Sequence, residues 1–456
     1  MPLSTTQITK PAISMKRQVS DDHSEGWSRA EEAPCRIIEG CVCIEICRNE
    51  RNNHFAPSPS EIKDFLLEHE LLPVQISFTE QSLDADAPKN LDRALLKAYF
   101  DLFLDLHPRW KTARFWAPYV PWESFEDKFP PAPLLESVVL EGPSDFDIPA
   151  VGKMISVCWH ISRKFRKFEL IQHNEGTTFS GVPNNPCPPL PIAAVTTLRL
   201  DCKIIVRYCC DILAAARNLK ECSFSNVAAS DGCVNVPFES RSLRTLKIGV
   251  NFEDHDEGSP TYLWKLFEFL RAPTLRHLSI KCDDFWSTEH FTAFIRRSMC
   301  CIEALDFFMV AMTEAELIQT LKYTPFLRIL KIHGDLSKGP QPVMDEMMSS
   351  LTRCPENVDL LCPRLEMFAI NEDAVACLQD GVISTMLSSR VRTPCIEYFW
   401  FEARHDNEQH KLDIEILSRM TDERETLENV VIGISADSQD AWDMAVEQKL
   451  AEKALQ

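Results

Sequence analysis

The sequence predicts an α/β solenoid of leucine-rich-repeat type, with a curved parallel sheet inside, helices outside and repeats of irregular length. Three observations point there. A short phrase, apolar-x-x-apolar-x-apolar, recurs along nearly the whole chain. Amphipathic segments with helical periodicity lie between its copies. Prolines mark many of the turns just before a copy, where they disfavour helix at the preceding residue.

The clearest copies are Leu243/Leu246/Ile248, Leu275/Leu278/Ile280, Ile302/Leu305/Phe307 and Leu327/Leu330/Ile332. Earlier ones read Leu135/Val138/Leu140, Phe165/Phe168/Leu170, Val195/Leu198/Leu200 and Leu219/Cys222/Phe224. Later ones read Leu365/Phe368/Ile370, Ile396/Phe399/Phe401 and Leu427/Val430/Ile432. Successive copies are roughly 24 to 38 residues apart, the leucine-rich range with insertions.

Ahead of the first copy, Cys41 to Ile46 alternates like a half-buried strand. Ser58 to Glu68 has a helix start and places Ile62, Phe65 and Leu66 on one face. Pro73 to Phe78 is a second strand. In Leu91 to Leu106, the residues Leu95, Leu96, Tyr99, Leu102, Phe103 and Leu106 recur at helical intervals.

Between the later copies, helices are predicted over Ile204–Ala216, Tyr262–Leu270, Glu289–Arg297, Thr313–Lys322, Val343–Leu351 and Gly381–Ser389. Thr313-Glu-Ala-Glu316 has the Thr-x-x-Glu form of a capping box. Each unit can bury its helical face and strand face only against neighbours, so the units stack. Pro133, Pro273, Pro325, Pro363 and Pro394 mark the turns into strands.

Three insertions, His173 to Pro191, Asn251 to Pro260 and Gly334 to Pro342, are expected as surface loops. Residues 1–34 are polar and expected to be disordered. The solenoid is expected over 35–436, and 437–456 as an acidic C-terminal helix or cap.

A hydrophobic content of 45 % suffices for a core, and a formal charge of −20 opposes nucleic-acid binding and anionic membrane surfaces. No run approaches the ~20 apolar residues that span a bilayer, and residues 1–26 lack the apolar stretch of a signal peptide. The 18 cysteines are spread out, several at apolar positions, and no Asn-x-Ser/Thr acceptor occurs. They read as reduced thiols of a cytoplasmic or nuclear protein.

Chemistry is sparse. There is no phosphate-cradling glycine loop, no Gly-x-Ser-x-Gly and no His-Glu-x-x-His, and no enzymatic activity or cofactor is expected. Cys35, Cys41, Cys43, Cys47 and His54 are the best metal candidates. Only Cys43 and Cys47 have a zinc-knuckle spacing, however, so core or surface thiols are expected and no metal. The acidic run Glu253 to Glu257 lacks the glycine of a calcium loop and reads as solvated surface. The proline-rich run from Val182 to Pro191 reads as a loop rather than a polyproline ligand.

Cys362-Pro-Arg-Leu-Glu366, Thr324-Pro-Phe-Leu-Arg328 and Ala272-Pro-Thr-Leu-Arg-His277 share a Pro turn followed by Leu-Arg/Glu or Leu-Arg-His. This idiom resembles fungal F-box/leucine-rich-repeat proteins, especially those of mushroom-forming fungi. Leu102-Phe-Leu-Asp-Leu-His-Pro-Arg-Trp110 looks like that family's helix ending in a Ser/His-x-Arg-Trp turn. Cys41 to Phe78 resembles its first strand, polar helix and second strand. The resemblance covers about residues 36 to 435. It implies a substrate-recognition module whose repeats hold a protein target on the concave face. A Skp-type adaptor and a cullin of a ubiquitin ligase are implied partners where an F-box is present. The family's F-box is a helical unit opening with Leu-Pro upstream of the first strand. Residues 1–34 contain no such unit, so an F-box is expected to be missing, degenerate or further upstream.

If the phrase positions point inward, the residues between them line the other face of the sheet. One exposed column is then His277, Ala304, Ile329, Met367, Tyr398 and Asn429. A second is Arg199, Lys247, Ser279, Asp306, Lys331 and Trp400. A third is Lys281, Phe308, His333, Asn371 and Glu402. The predicted partner-binding residues are Phe308, Ile329, Met367, Tyr398 and Trp400, with Lys247, Lys281 and Lys331.

Overall fold

Along the first long strand, Val42, Ile44 and Ile46 are buried in the main core, alternating with Cys41, Cys43 and Glu45 on the other face. The computed structural model of the chain describes residues 34–49, 54–79, 93–116, 132–142, 162, 164–172, 194–228, 236–250, 263–282, 286–335, 343–354, 360–391, 396–403, 408–422 and 431–434. The segment 437–456 and almost all of 1–34 lie outside these residues, as do 173–191, 251–260 and all but the start of 334–342.

The strands are β1 Cys35–Ile38, β2 Cys41–Asn49, β3 His54–Ala56, β4 Val74–Thr79, β5 Trp110–Trp116, β6 Ser137–Gly142, β7 Lys167–Gln172, β8 Thr197–Ile205 and β9 Glu221–Ala228. There follow β10 Phe238–Glu239, β11 Thr245–Val250, β12 Leu270–Arg271, β13 His277–Lys281, β14 Ala304–Phe308, β15 Ile329–His333, β16 Met367–Asn371, β17 Tyr398–Glu402 and β18 Val431–Ile434. The helices are α1 Pro59–Leu67, α2 Arg93–Leu106, α3 Val206–Ala215, α4 Leu263–Phe269, α5 Thr288–Ser298, α6 Glu314–Lys322, α7 Asp345–Leu351, α8 Val382–Val391 and α9 Lys411–Asp422.

Sixteen of the described strands form one sheet, in the order β1-β2-β4-β5-β6-β7-β8-β9-β11-β13-β14-β15-β16-β17-β18, with β3 beside β2. All pairs are parallel except those of β1 and β3 with β2. These two short strands shield the outer edge of β2, one along each half, which blunts an otherwise open edge. The small pair β10–β12 stands apart. The architecture is a solenoid-like α/β fold whose strands follow chain order.

The phrase positions pair with one another across the sheet. Leu246 aligns with Cys222 and Leu278, and the row continues through Leu305, Leu330, Phe368 and Phe399. The residues two positions on, from Ile248 to Phe401, form the next row. Both rows are buried in one continuous core with the apolar faces of the helices. Each row is thus a stack of apolar side chains at strand spacing, about 4.8 Å apart.

Local signals explain the boundaries. Ser58 and Thr313 cap α1 and α6 in reciprocal capping boxes with Glu61 and Glu316. Pro133, Pro273, Pro325 and Pro363 occupy the second position of four-residue turns. In these, Leu135, Leu275, Leu327 and Leu365 donate their N–H to the carbonyls of Ala132, Ala272, Thr324 and Cys362. Proline's fixed φ suits that turn position. Helix α9 was not predicted from periodicity, and β8 runs into the stretch expected to begin α3.

Candidate partner-binding face

Residues between the phrase positions lie on the sheet face turned away from the main core. Strand register aligns His277, Ala304, Ile329, Met367 and Tyr398 in one row. The next position is Val431, not Asn429, because Ile432 pairs with Phe399. The last phrase copy is therefore Ile432/Ile434 at its second and third positions. A two-residue slip keeps every side chain on its face, so the apolar pattern alone allowed either register. A second row runs through Lys247, Ser279, Asp306, Lys331, Ala369 and Trp400.

The expectation of exposure needs correction. Met367 is fully buried and Ile329 is 7 % exposed; with Ala304 and Ala369 they form a second apolar cluster, separate from the main core. The half-buried Tyr398 and Trp400 pack against it. Lys331, expected at the surface, is also only 7 % exposed. Neighbouring rows are close enough for long side chains to shield one another, which strand alternation does not reveal. Lys247 and Lys281 are exposed.

Phe308 is half-buried and stacks on His333, ring centroids 4.3 Å apart and 12° from parallel. Lys281 Nζ lies 5.1 Å from the Phe308 centroid, and His333 Nδ1 is 3.5 Å from Glu402 Oε2. Asn371 is buried rather than exposed. Its Nδ2 donates to the Gly334 carbonyl, and its Oδ1 accepts the N–H groups of Gly334 and Ala374, so it fastens two loops. Burial, with the Lys247 charge alongside, pulls His277 down to about 4, leaving a neutral imidazole at pH 7. The face therefore offers half-buried rings, a neutral imidazole and a cationic rim, a chemistry suited to holding another surface.

Cys41 and Cys43 are buried, and they are not among the residues whose ligand atoms converge. Such a group does occur at Asp380, His410 and Asp413, with ligand atoms within 4.8 Å of one another. Its geometry is that of a reciprocal helix cap. Asp380 accepts the N–H groups of Leu412 and Asp413 at the start of α9, at 2.9 and 3.0 Å. Asp413 accepts those of Gly381 and Ser384 at the start of α8, at 2.9 and 2.8 Å. His410 lies between Asp413, 3.5 Å away, and the Val375 carbonyl, 3.2 Å away. Burial pushes the Asp413 carboxyl up, but hydrogen bonds from His410, Ser384 and Gly381 together hold it below its ordinary value. Backbone donors converge on these carboxylates, so their charge is directed to the helix N-termini.

Three arginines make a second arrangement that sequence reasoning missed. Arg109 donates to the carbonyls of His69 and Leu72 beyond α1. Arg297 donates to those of Phe267 and Leu270 at the end of α4. Arg390, buried, reaches Leu351 at the end of α7 and also Leu361 and Cys362. Each comes from the end of one helical unit and satisfies carbonyls in the unit before it. The only sequence signal is an arginine in or just beyond the last turn of a helix.

Among the described residues, burial raises the thiols of Cys300 and Cys362 to about 12, consistent with inert core groups. No helix among these residues is long and apolar enough to cross a membrane. The chain matches no protein-family model and no curated protein.

Proposed function

We propose that the chain is a non-enzymatic protein-interaction module of leucine-rich-repeat type, related to the substrate-recognition part of F-box proteins. A protein target is held on the sheet face opposite the main core, over β14–β17. The observation that carries this reading is the second apolar cluster with Tyr398 and Trp400 half-buried upon it. Large rings braced from beneath lose little conformational freedom on binding, which is why they serve as anchors at interfaces. The in-register apolar rows support the repeat reading, and the Pro turns support the family resemblance.

Affinity capture of partners with wild-type chain and with the Tyr398→Ala/Trp400→Ala double variant tests the site. The double variant is expected to lose its target by at least about tenfold while its circular dichroism stays unchanged. Equal capture by a folded variant refutes the site. Recovery of a Skp-type adaptor and a cullin with the full chain distinguishes a working ligase receptor from a scaffold that only holds the target.

A further inference from the structure

One position ahead of the strands, the backbone ladder continues for one more rung. Arg244 donates its N–H to Lys220, Arg276 to Arg244 and Glu303 to Arg276, at 2.7, 2.9 and 2.7 Å. Residues on this rung sit side by side at strand spacing, about 4.8 Å. In its first part the row reads Lys111, Glu136, Arg166, Thr196, and after the centre it reads Glu303, Arg328, Glu366, Glu397, so opposite signs are neighbours except at the final Glu366–Glu397 step. Arg328 is paired with Glu366 at 2.5 Å and Arg276 with Glu303 at 3.0 Å.

The centre is the cationic stretch of the row, because Lys220, Arg244 and Arg276 place three cations on consecutive rungs. Like charges side by side on neighbouring strands are unfavourable. Only Arg276 has a carboxylate partner among the described residues; the side chains of Lys220 and Arg244 are exposed and unpaired there. Arg217, also exposed, belongs to the same place, because Ser242 Oγ donates to its carbonyl at 2.9 Å and joins the two turns. Nearby carboxylates are engaged elsewhere: Glu239 with Arg241 and Arg271, and Glu221 with the Thr197 hydroxyl.

We propose that Arg217, Lys220 and Arg244 form a docking site for an acidic peptide segment of a partner protein. It is a second surface, on the turns before β9 and β11, and it goes beyond the target-binding reading of β14–β17. Charge complementarity selects the occupant. On an extended peptide, alternate side chains on one face are about 7 Å apart, a spacing that lets two carboxylates meet cations on neighbouring turns. Charges beyond about 8 Å are screened in physiological salt, so a short acidic segment feels this local patch rather than the chain's net −20. A nucleic acid has a longer charged footprint, and Asn218, Leu219, Ser242 and Leu243 in these turns offer no ring for base stacking.

The test is fluorescence anisotropy of the full chain with a labelled twelve-residue Glu/Asp-rich peptide. An uncharged peptide and a single-stranded oligonucleotide of equal length serve as comparisons. The acidic peptide is expected to bind, to weaken as salt rises from about 50 to about 300 mM, and to lose at least about tenfold with Lys220→Glu/Arg244→Glu. These exposed substitutions are expected to leave the thermal melt unchanged. Tyr398→Ala/Trp400→Ala is expected to retain peptide binding, which separates this site from the target-binding face. No binding of the acidic peptide, equal binding by the charge-reversed variant, or tighter binding of the oligonucleotide through the same residues overturns the proposal.

Discussion

His107 is wholly buried in the turn after α2, its ring edge-on to Trp110 at 4.7 Å. Burial lowers it to about 4. Below its ordinary value near 6.5 the unfolded chain takes up a proton that the folded chain does not, until the pH reaches about 4. Stability supplied by the neutral ring is therefore full above about pH 6.5 and falls on acidification, at about 1.4 kcal/mol per pH unit. Urea midpoints measured from pH 7 to pH 4.5 are expected to fall more steeply for the wild type than for His107→Gln; parallel slopes refute the assignment. The stretch from Leu102 to Trp110 stands out in the sequence as a motif, and the structure gives its polar members work. His107 packs in the turn, and Arg109 holds the carbonyls of His69 and Leu72. The role of Arg109 is not visible in the motif, because its partners lie 37 and 40 residues away.

Among the described residues, some helix ends are completed by their own residues and others by neighbouring units. Ser58 and Thr313 cap their own helices, and both capping boxes are legible in sequence because their partners are three residues on. The starts of α8 and α9 exchange carboxylates instead, Asp413 serving α8 and Asp380 serving α9. Asp413→Ala strands two N–H groups beside a fully buried position and is expected to cost about 2–4 kcal/mol, read as a lowered urea midpoint. Treatment of the wild type with a chelator is expected to leave that midpoint unchanged; a chelator-sensitive midpoint would replace the cap with a metal site. The same logic explains why α9 escaped prediction. Its N-terminal partner, Asp380, lies 32 residues before Leu412, beyond the reach of any local signal, and its apolar residues are interleaved with charges.

At the scale of the whole molecule, one apolar core runs from β2 to β17 without a break, and each unit touches chiefly the next. Stability in such an array is a chain of neighbour interactions. Arg390 is one such link: it joins α8 to the end of α7 and to the turn before β16. Arg390→Met leaves three carbonyls without that donor and is expected to cost about 3 kcal/mol. Hydrogen exchange is expected to quicken around 345–371 and to stay unchanged in β4 and β5; uniform quickening would mean the sheet opens as one unit. The order of the strands that carry the repeated phrase, the face each presents to the core and the Pro turns before them follow from the sequence alone, because they rest on period-two alternation and local turn chemistry. The short strands β1, β3, β10 and β12 and the antiparallel pairing of β1 and β3 do not. Only the tertiary structure decides the register of β18, the burial of Ile329, Met367 and Lys331, and the arginine and aspartate links between units. Those depend on which side chains meet across strands and helices tens of residues apart, and a local pattern carries no information about that distance.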